Sequence, residues 1–135
     1  MLSFSLHMEG KPIPKGRPRL GKRSTYTPEK TRVYEKTLRN KAIDMLKNSA
    51  PYPSAVRVSI LVKVKTGDEI KKPMRESAYA GKIRPTKRPD IDNIAKTILD
   101  ALNGVVFRDD SQVVELFASK AYNDKDEVFI TVTSI

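Results

Sequence analysis

The sequence predicts an α+β fold: one small domain with a mostly antiparallel or mixed four-stranded sheet packed against two main helices. Three observations carry that prediction. Two stretches alternate in polarity with the period of a strand, two more near the end of the sequence read as strands, and two others keep helical spacing. These segments run in the order β, α, β, loop, α, β, β rather than in strict alternation. A chain of 135 residues suits a single hydrophobic core, so residues 1–135 are read as one domain.

Leu2, Phe4, Leu6 and Met8 alternate with Ser3, Ser5 and His7, which predicts a half-buried strand with His7 on its polar face. Residues 10–25 (GKPIPKGRPRLGKRST) contain three prolines and three glycines and are expected to form no regular structure. Thr27-Pro28-Glu29 supplies a cap residue, a proline at the first helical position and an acid in the first turn. The helix it opens runs to about Lys47. Tyr34, Leu38, Ala42, Met45 and Leu46 form its buried stripe, and Lys30, Arg32, Lys36, Arg39 and Lys47 its solvated face. In residues 54–65, Val56, Val58, Ile60, Val62 and Val64 alternate with Arg57, Ser59, Leu61, Lys63 and Lys65, the clearest strand of the chain. A basic, irregular loop over 66–88 follows, with a short helix near 76–81. Ile91, Ile94, Ala95, Ile98, Leu99 and Leu102 mark a second amphipathic helix, which Asn103-Gly104 terminates. Strands near 112–118 and 127–133, joined by a turn at Asn123-Asp124, complete the chain.

Charge is divided along this order. Residues 10–89 hold 22 Lys and Arg against 6 Asp and Glu, a net +16, whereas residues 90–135 hold 4 against 9, a net −5. Such a division points to one surface for phosphates and another for cations. Lys11, Lys15, Arg17, Arg19, Lys22 and Arg23 crowd the first basic loop with no acid among them. We assign phosphate contact to Lys15, Arg17 and Arg19, and to Lys87 and Arg88 at the end of the second loop. Cysteine is absent and His7 is the one histidine, which excludes disulfides, thiolate zinc, cysteine nucleophiles and a histidine cage. A metal would have to be held by carboxylates and carbonyls, which suits Mg²⁺ or Mn²⁺. No apolar run is long enough to span a bilayer, and MLSFSLHMEG lacks a basic, apolar leader, so a cytoplasmic location without a membrane partner is expected. No phosphate-cradling glycine loop, serine triad or dinucleotide fingerprint is present, and no organic cofactor is expected.

Against this basic background, Asp90, Asp92, Asp109 and Asp110 bracket the second helix. Like charges so gathered repel unless a cation neutralises them. In a helix, residues two apart diverge by about 200°, so Asp90 must stand before the helix if it is to join Asp92. Lys96 lies one turn beyond Asp92. Each feature has a plainer reading: a cap, a surface ion pair, a turn opening. Jointly they describe carboxylates that hold one or two divalent ions, beside a lysine able to balance charge on a phosphodiester undergoing hydrolysis. That arrangement requires Asp110 to close the site from beyond the Asn103-Gly104 turn.

The stretch RPDIDNIAKTILDALNGVVFRDDSQVVEL resembles the core of the RusA family of Holliday junction resolvases. The family's pattern is Asp-x-Asp-Asn, a lysine shortly after, Asp-Ala-Leu, then Asp-Asp-x-Gln before a strand. The leader GKPIPKGRPR and the segment YTPEKTRVYE are similar to the N-terminal part of bacterial and phage members. The resemblance implies a homodimer, active with Mg²⁺ or Mn²⁺, that nicks opposing strands of a four-way DNA junction in recombination and repair. It places the metal-binding carboxylates on Asp90, Asp92 and Asp110 and the catalytic lysine on Lys96, with Asn93 and Asp109 in support. The NGVVFR turn is a residue shorter than in some relatives, and the following Ser-Gln sets the frame in favour of Asp110. A homodimer also suits paired cuts on a two-fold junction. The rival readings are a non-catalytic basic nucleic-acid-binding protein and a nuclease for forks or flaps.

Overall fold

The structure is a computed structural model that describes residues 2–14, 19–20, 25–26 and 29–135. Its elements are strands β1 (Ser3–Glu9), β2 (Arg19–Leu20) and β3 (Thr25–Tyr26), helix α1 (Glu29–Leu46), strand β4 (Val56–Lys65), helices α2 (Arg75–Tyr79) and α3 (Ile91–Leu102), and strands β5 (Val113–Asn123) and β6 (Glu127–Ser134). Short 3-10 turns at Lys72–Met74 and Asp110–Gln112 lead into α2 and β5. The α+β class and the four-stranded sheet are as the alternating pattern predicts.

The sheet has the order β1-β6-β4-β5. β6 pairs antiparallel with both β1 and β4, while β5 runs parallel to β4, which makes the sheet mixed. The Asn123-Asp124 region is therefore not the turn of a hairpin. It carries the chain past the end of β4, which it also holds: Lys65 N donates to Asp126 Oδ1 at 2.8 Å and Thr66 N to the Asn123 carbonyl at 3.1 Å.

Register decides what the sheet buries. Phe4, Leu6 and Met8 of β1 lie level with Val132, Ile130 and Val128 of β6, and these with Val58, Ile60 and Val62 of β4. All nine point to one face, where they pack with Leu38 and Ala42 of α1 and Ile94, Ile98, Ala101 and Leu102 of α3. The opposite face carries Arg57, Ser59, Leu61 and Lys63, with Phe129, Thr131 and Phe117 beside them. His7 lies on this face too. Its Nε2 pairs with Glu127 Oε1 at 2.6 Å and its ring stacks on Phe129 with centroids 4.7 Å apart. The His7 pair and Asn123 Nδ2 hold the Glu127 carboxyl below its ordinary pKa, against the burial that would raise it.

Four expectations are corrected. Residues 10–25 are not wholly irregular, since β2 and β3 form a two-residue antiparallel pair. The strand expected over 112–118 runs on to Asn123, because β4 offers a partner along its whole length. The stripe of α1 is Tyr34, Leu38, Ala42 and Leu46 at four-residue spacing, with Met45 on its exposed flank. Arg39 is not merely solvated, for its Nη1 donates to the Asn103 carbonyl at 2.8 Å and so satisfies an acceptor at the end of α3. The Thr27-Pro28 start of α1 lies outside the described residues.

After α3 the chain does not turn back along the helix. Gly104 takes a left-handed conformation (φ +80°), which glycine tolerates without strain. Its N–H donates to the Phe107 carbonyl at 2.8 Å. Val105, Val106 and Phe107 are thereby driven into the end of the core, where Phe107 is fully buried. Phe107→Ala is expected to cost about 3–5 kcal/mol through the cavity it leaves, read as a lower urea midpoint at unchanged slope.

The long basic loop is folded onto the sheet edge. Ile70 and Ala78 make a second small core with Tyr122 of β5, against which Ile83 packs. Thr66 Oγ1 and Tyr79 Oη lie 3.1 Å apart. The apolar anchors and α2 fix the backbone, while Lys71, Lys72, Lys82, Arg84, Lys87 and Arg88 stay exposed and Arg75 is half-buried.

Candidate metal and DNA site

Asp90 stands immediately before α3 with extended backbone (φ −75°, ψ 127°). Its carbonyl accepts the Ile94 N–H at 3.1 Å, so it holds the N-cap position. Its side chain does not cap: no hydrogen bond joins the carboxylate to the helix. Ser, Thr, Asp and Asn usually occupy this position because the side chain takes an orphan N–H. Here that stabilisation is forgone and the carboxylate is exposed. Asp92, in the first turn, is exposed as well, and its Oδ1 accepts the Asn93 N–H at 2.9 Å. Both acids lie at the positive end of the helix dipole.

Lys96 is exposed one turn on and makes no ion pair with Asp92 among the described residues. Asn93 is half-buried, and its carbonyl accepts the Thr97 hydroxyl at 3.1 Å. Lys87 and Arg88 are exposed directly before the acids, and the Arg88–Pro89 peptide is cis. Of the other predicted phosphate contacts, Arg19 belongs to β2, and Lys15 and Arg17 lie outside the described residues.

The second acidic pair divides by role. Asp109 caps the 3-10 turn: its carboxylate accepts the Ser111 N–H and hydroxyl, while its own N–H donates to Gln112 Oε1 at 2.9 Å. The Ser111 bonds hold the Asp109 carboxyl below its ordinary pKa. A carboxyl depressed in the fold stabilises above its unfolded pKa and loses that contribution as pH falls through the folded one. Asp110 is exposed and has no side-chain partner among the described residues.

Asp90, Asp92 and Asp110 do not converge in one chain. Among the described residues, no three Asp, Glu or His side chains lie close enough to share a metal ion. Closure by Asp110 is not made within one chain, and the reason is topological. Gln112 Nε2 donates to the Tyr52 and Ser54 carbonyls at 2.7 Å each, which fastens the Asp110 turn beside the start of β4. The start of α3 is fastened instead to Lys120, whose Nζ donates to the carbonyls of Lys87 at 2.8 Å and Pro89 at 3.0 Å. Val113 and Lys120 are seven residues apart on β5, about 23 Å of strand, and α3 itself is about 18 Å long.

Sequence reasoning missed Gln112 and Lys120 as positioning groups. Gln112 could have been suspected as the fixed partner of an Asp-Asp-x-Gln turn. Lys120 carried no signal, since it falls beyond the strand expected over 112–118.

The donor set nevertheless suits a hard cation. Only oxygen ligands are at hand, and Mg²⁺ commonly needs one or two carboxylates, with waters and substrate phosphates completing its shell. Asp90 and Asp92 are two exposed carboxylates of that kind at the start of α3.

A small mixed α+β domain places two exposed acids at a helix start, directly after a folded basic loop. The chain belongs to the RusA endodeoxyribonuclease family, whose pattern it matches over residues 9–133. It is also similar to "Uncharacterized protein YqaN" of Bacillus subtilis (strain 168), at 34% identity over 138 residues, covering 93% of this chain and 92% of that protein. Family membership supports endonuclease activity on DNA. No helix among the described residues is long and apolar enough to cross a membrane.

Proposed function

We propose that this protein is a Mg²⁺- or Mn²⁺-dependent, structure-selective endodeoxyribonuclease that resolves Holliday junctions by paired nicks, acting as a homodimer in DNA recombination and repair. The observation that carries the reading is the Asp90 carboxylate, which occupies a capping position without capping. Such a side chain forgoes local stability and stays available for a ligand.

Asp90 and Asp92 would hold the ion, and a divalent ion bound there supplies Lewis acidity at the scissile phosphate. The exposed bases of 66–88 draw in the DNA backbone, and Lys87 and Arg88 seat a phosphate next to the acids. Lys96, unpaired with Asp92, is free to balance charge as the phosphodiester breaks. Asn93 orients from within the same turn.

Asp90, Asp92 and Asp110 form no metal-sized group within one protomer, so a site that uses all three carboxylates is completed across two copies. One two-fold operation then builds two equivalent sites. β5 is an edge strand with Val114, Phe117 and Leu116 exposed, which supports association along this side.

Cleavage of a synthetic four-way junction, a fork and a linear duplex in Mg²⁺ tests the reading. The junction is expected to be cut at least about tenfold faster than the others, with symmetric products. Preference for forks would reassign the substrate, and salt-sensitive binding without products would leave a basic binding protein. Lys96→Ala is expected to lower turnover about 10²-fold or more while moving junction affinity less than threefold, the scale for loss of one charge-stabilising donor. Equal losses in both would demote Lys96 to a phosphate contact.

A further inference from the structure

Lys120 lies on the helix-facing side of β5, level with the fully buried Val62. A lysine in that register can send its ammonium only toward the sheet edge, where the segment entering α3 runs. There it donates to two carbonyls, those of Lys87 at 2.8 Å and Pro89 at 3.0 Å. The second belongs to the peptide group that joins Pro89 to Asp90. Pro89 is buried and has no N–H to donate, so it adds no backbone donor of its own to hold the segment. Asp90 likewise contributes no cap hydrogen bond.

We infer that Lys120 is a positioning residue for the cation site: its two hydrogen bonds fix the backbone of 87–89 and thereby set where the Asp90 carboxylate stands relative to Asp92. The inference rests on the reading of Asp90 and Asp92 as metal ligands. Groups that orient a ligand typically change metal affinity by about 10–100-fold when removed.

The sign of the effect separates this role from the alternatives. A lysine acting only as a nearby positive charge repels a cation, so its removal would tighten metal binding. A lysine acting only in packing would lower thermal stability and leave the metal alone. Lys120→Met keeps the stem and removes the donors. Mn²⁺ binding to the full-length protein without DNA, followed by electron paramagnetic resonance, is expected to weaken about tenfold. Amide exchange in the segment 85–94 is expected to quicken, and junction affinity in EDTA to stay within about twofold because the phosphate contacts remain. Half-saturating Mg²⁺ for cleavage should rise in step with the Mn²⁺ constant. Lys120→Arg, which keeps the charge and donors, should bind Mn²⁺ within about threefold of the unsubstituted protein.

Unchanged or tighter Mn²⁺ binding by Lys120→Met overturns the inference. Should that variant not fold, Lys120→Gln replaces it, since its shorter amide does not span both carbonyls; unchanged Mn²⁺ binding there overturns it equally. If the unsubstituted protein binds Mn²⁺ yet cuts no DNA, the nuclease reading fails and the Lys120 comparison still stands. If the unsubstituted protein binds no Mn²⁺, both fall together.

Discussion

Asp90→Asn is expected to abolish junction cleavage, by about 10³-fold or more, the scale at which a catalytic metal ion contributes. The amide is nearly the shape of the carboxylate but carries no charge to hold a divalent cation. Junction binding should be unchanged or tighter, because one negative charge facing the phosphates is gone. Thermal stability should barely move, since the Asp90 side chain makes no cap bond whose loss would register. This third expectation separates Asp90 from an ordinary N-cap aspartate, where the same exchange would act on the helix. Cleavage and binding of one labelled four-way junction, in Mg²⁺ and in EDTA, give the comparison. An Asp90→Asn protein that still cuts at the unsubstituted rate sinks the site assignment.

Much of the fold is legible in the sequence because periodicity is a local property. The alternation of Val56 to Val64 and the stripe from Ile91 to Leu102 each report which side of an element meets the core, and the sheet and helices follow. Strand order is less legible. The parallel pairing of β5 and the placing of β4 between β5 and β6 leave no mark on the alternation of any one strand. The lesser corrections have similar causes. Met45 differs from Leu46 by one helical position, and its exposure depends on where the neighbouring strands end. Arg39 reads as a solvated base until the end of α3 is known to lie beside it.

The site divides along the same line. That Asp90 and Asp92 share the start of one helix follows from Pro89 and from the helical phase, both within a few residues. The position of Asp110 depends on Val105, Val106 and Phe107 plugging the far end of the core, a vacancy that exists only once α1, α3 and β4 have met. A turn that reads as a simple reversal therefore delivers the second acidic pair to the opposite end of α3. The difference between Asp109 and Asp110 is likewise hidden in the sequence and plain in the hydrogen bonds.

That difference yields the second large effect. Asp109→Ala removes both Ser111 bonds, so it is expected to lower thermal stability and to leave cleavage by the folded protein within about threefold, as loss of a turn cap should. Asp110→Asn is expected to do the opposite, leaving stability alone and lowering cleavage by a factor comparable to Asp90→Asn, about 10³. If the site is completed across two copies, as proposed, the two defects should complement each other. In a mixed dimer of Asp90→Asn and Asp110→Asn chains, one composite site carries both substitutions and the other carries neither. Subunit exchange between the two inactive proteins should therefore restore nicking, to at most about a quarter of the native sites by random pairing. The products should be single nicks rather than resolved duplexes, because each mixed dimer holds one intact site. Full cleavage by Asp110→Asn alone would mean that Asp90 and Asp92 suffice with water and phosphate ligands. Loss of cleavage without complementation would mean that each site is built within a single chain, by a movement of the Asp110 turn that breaks the Gln112 bonds to Tyr52 and Ser54.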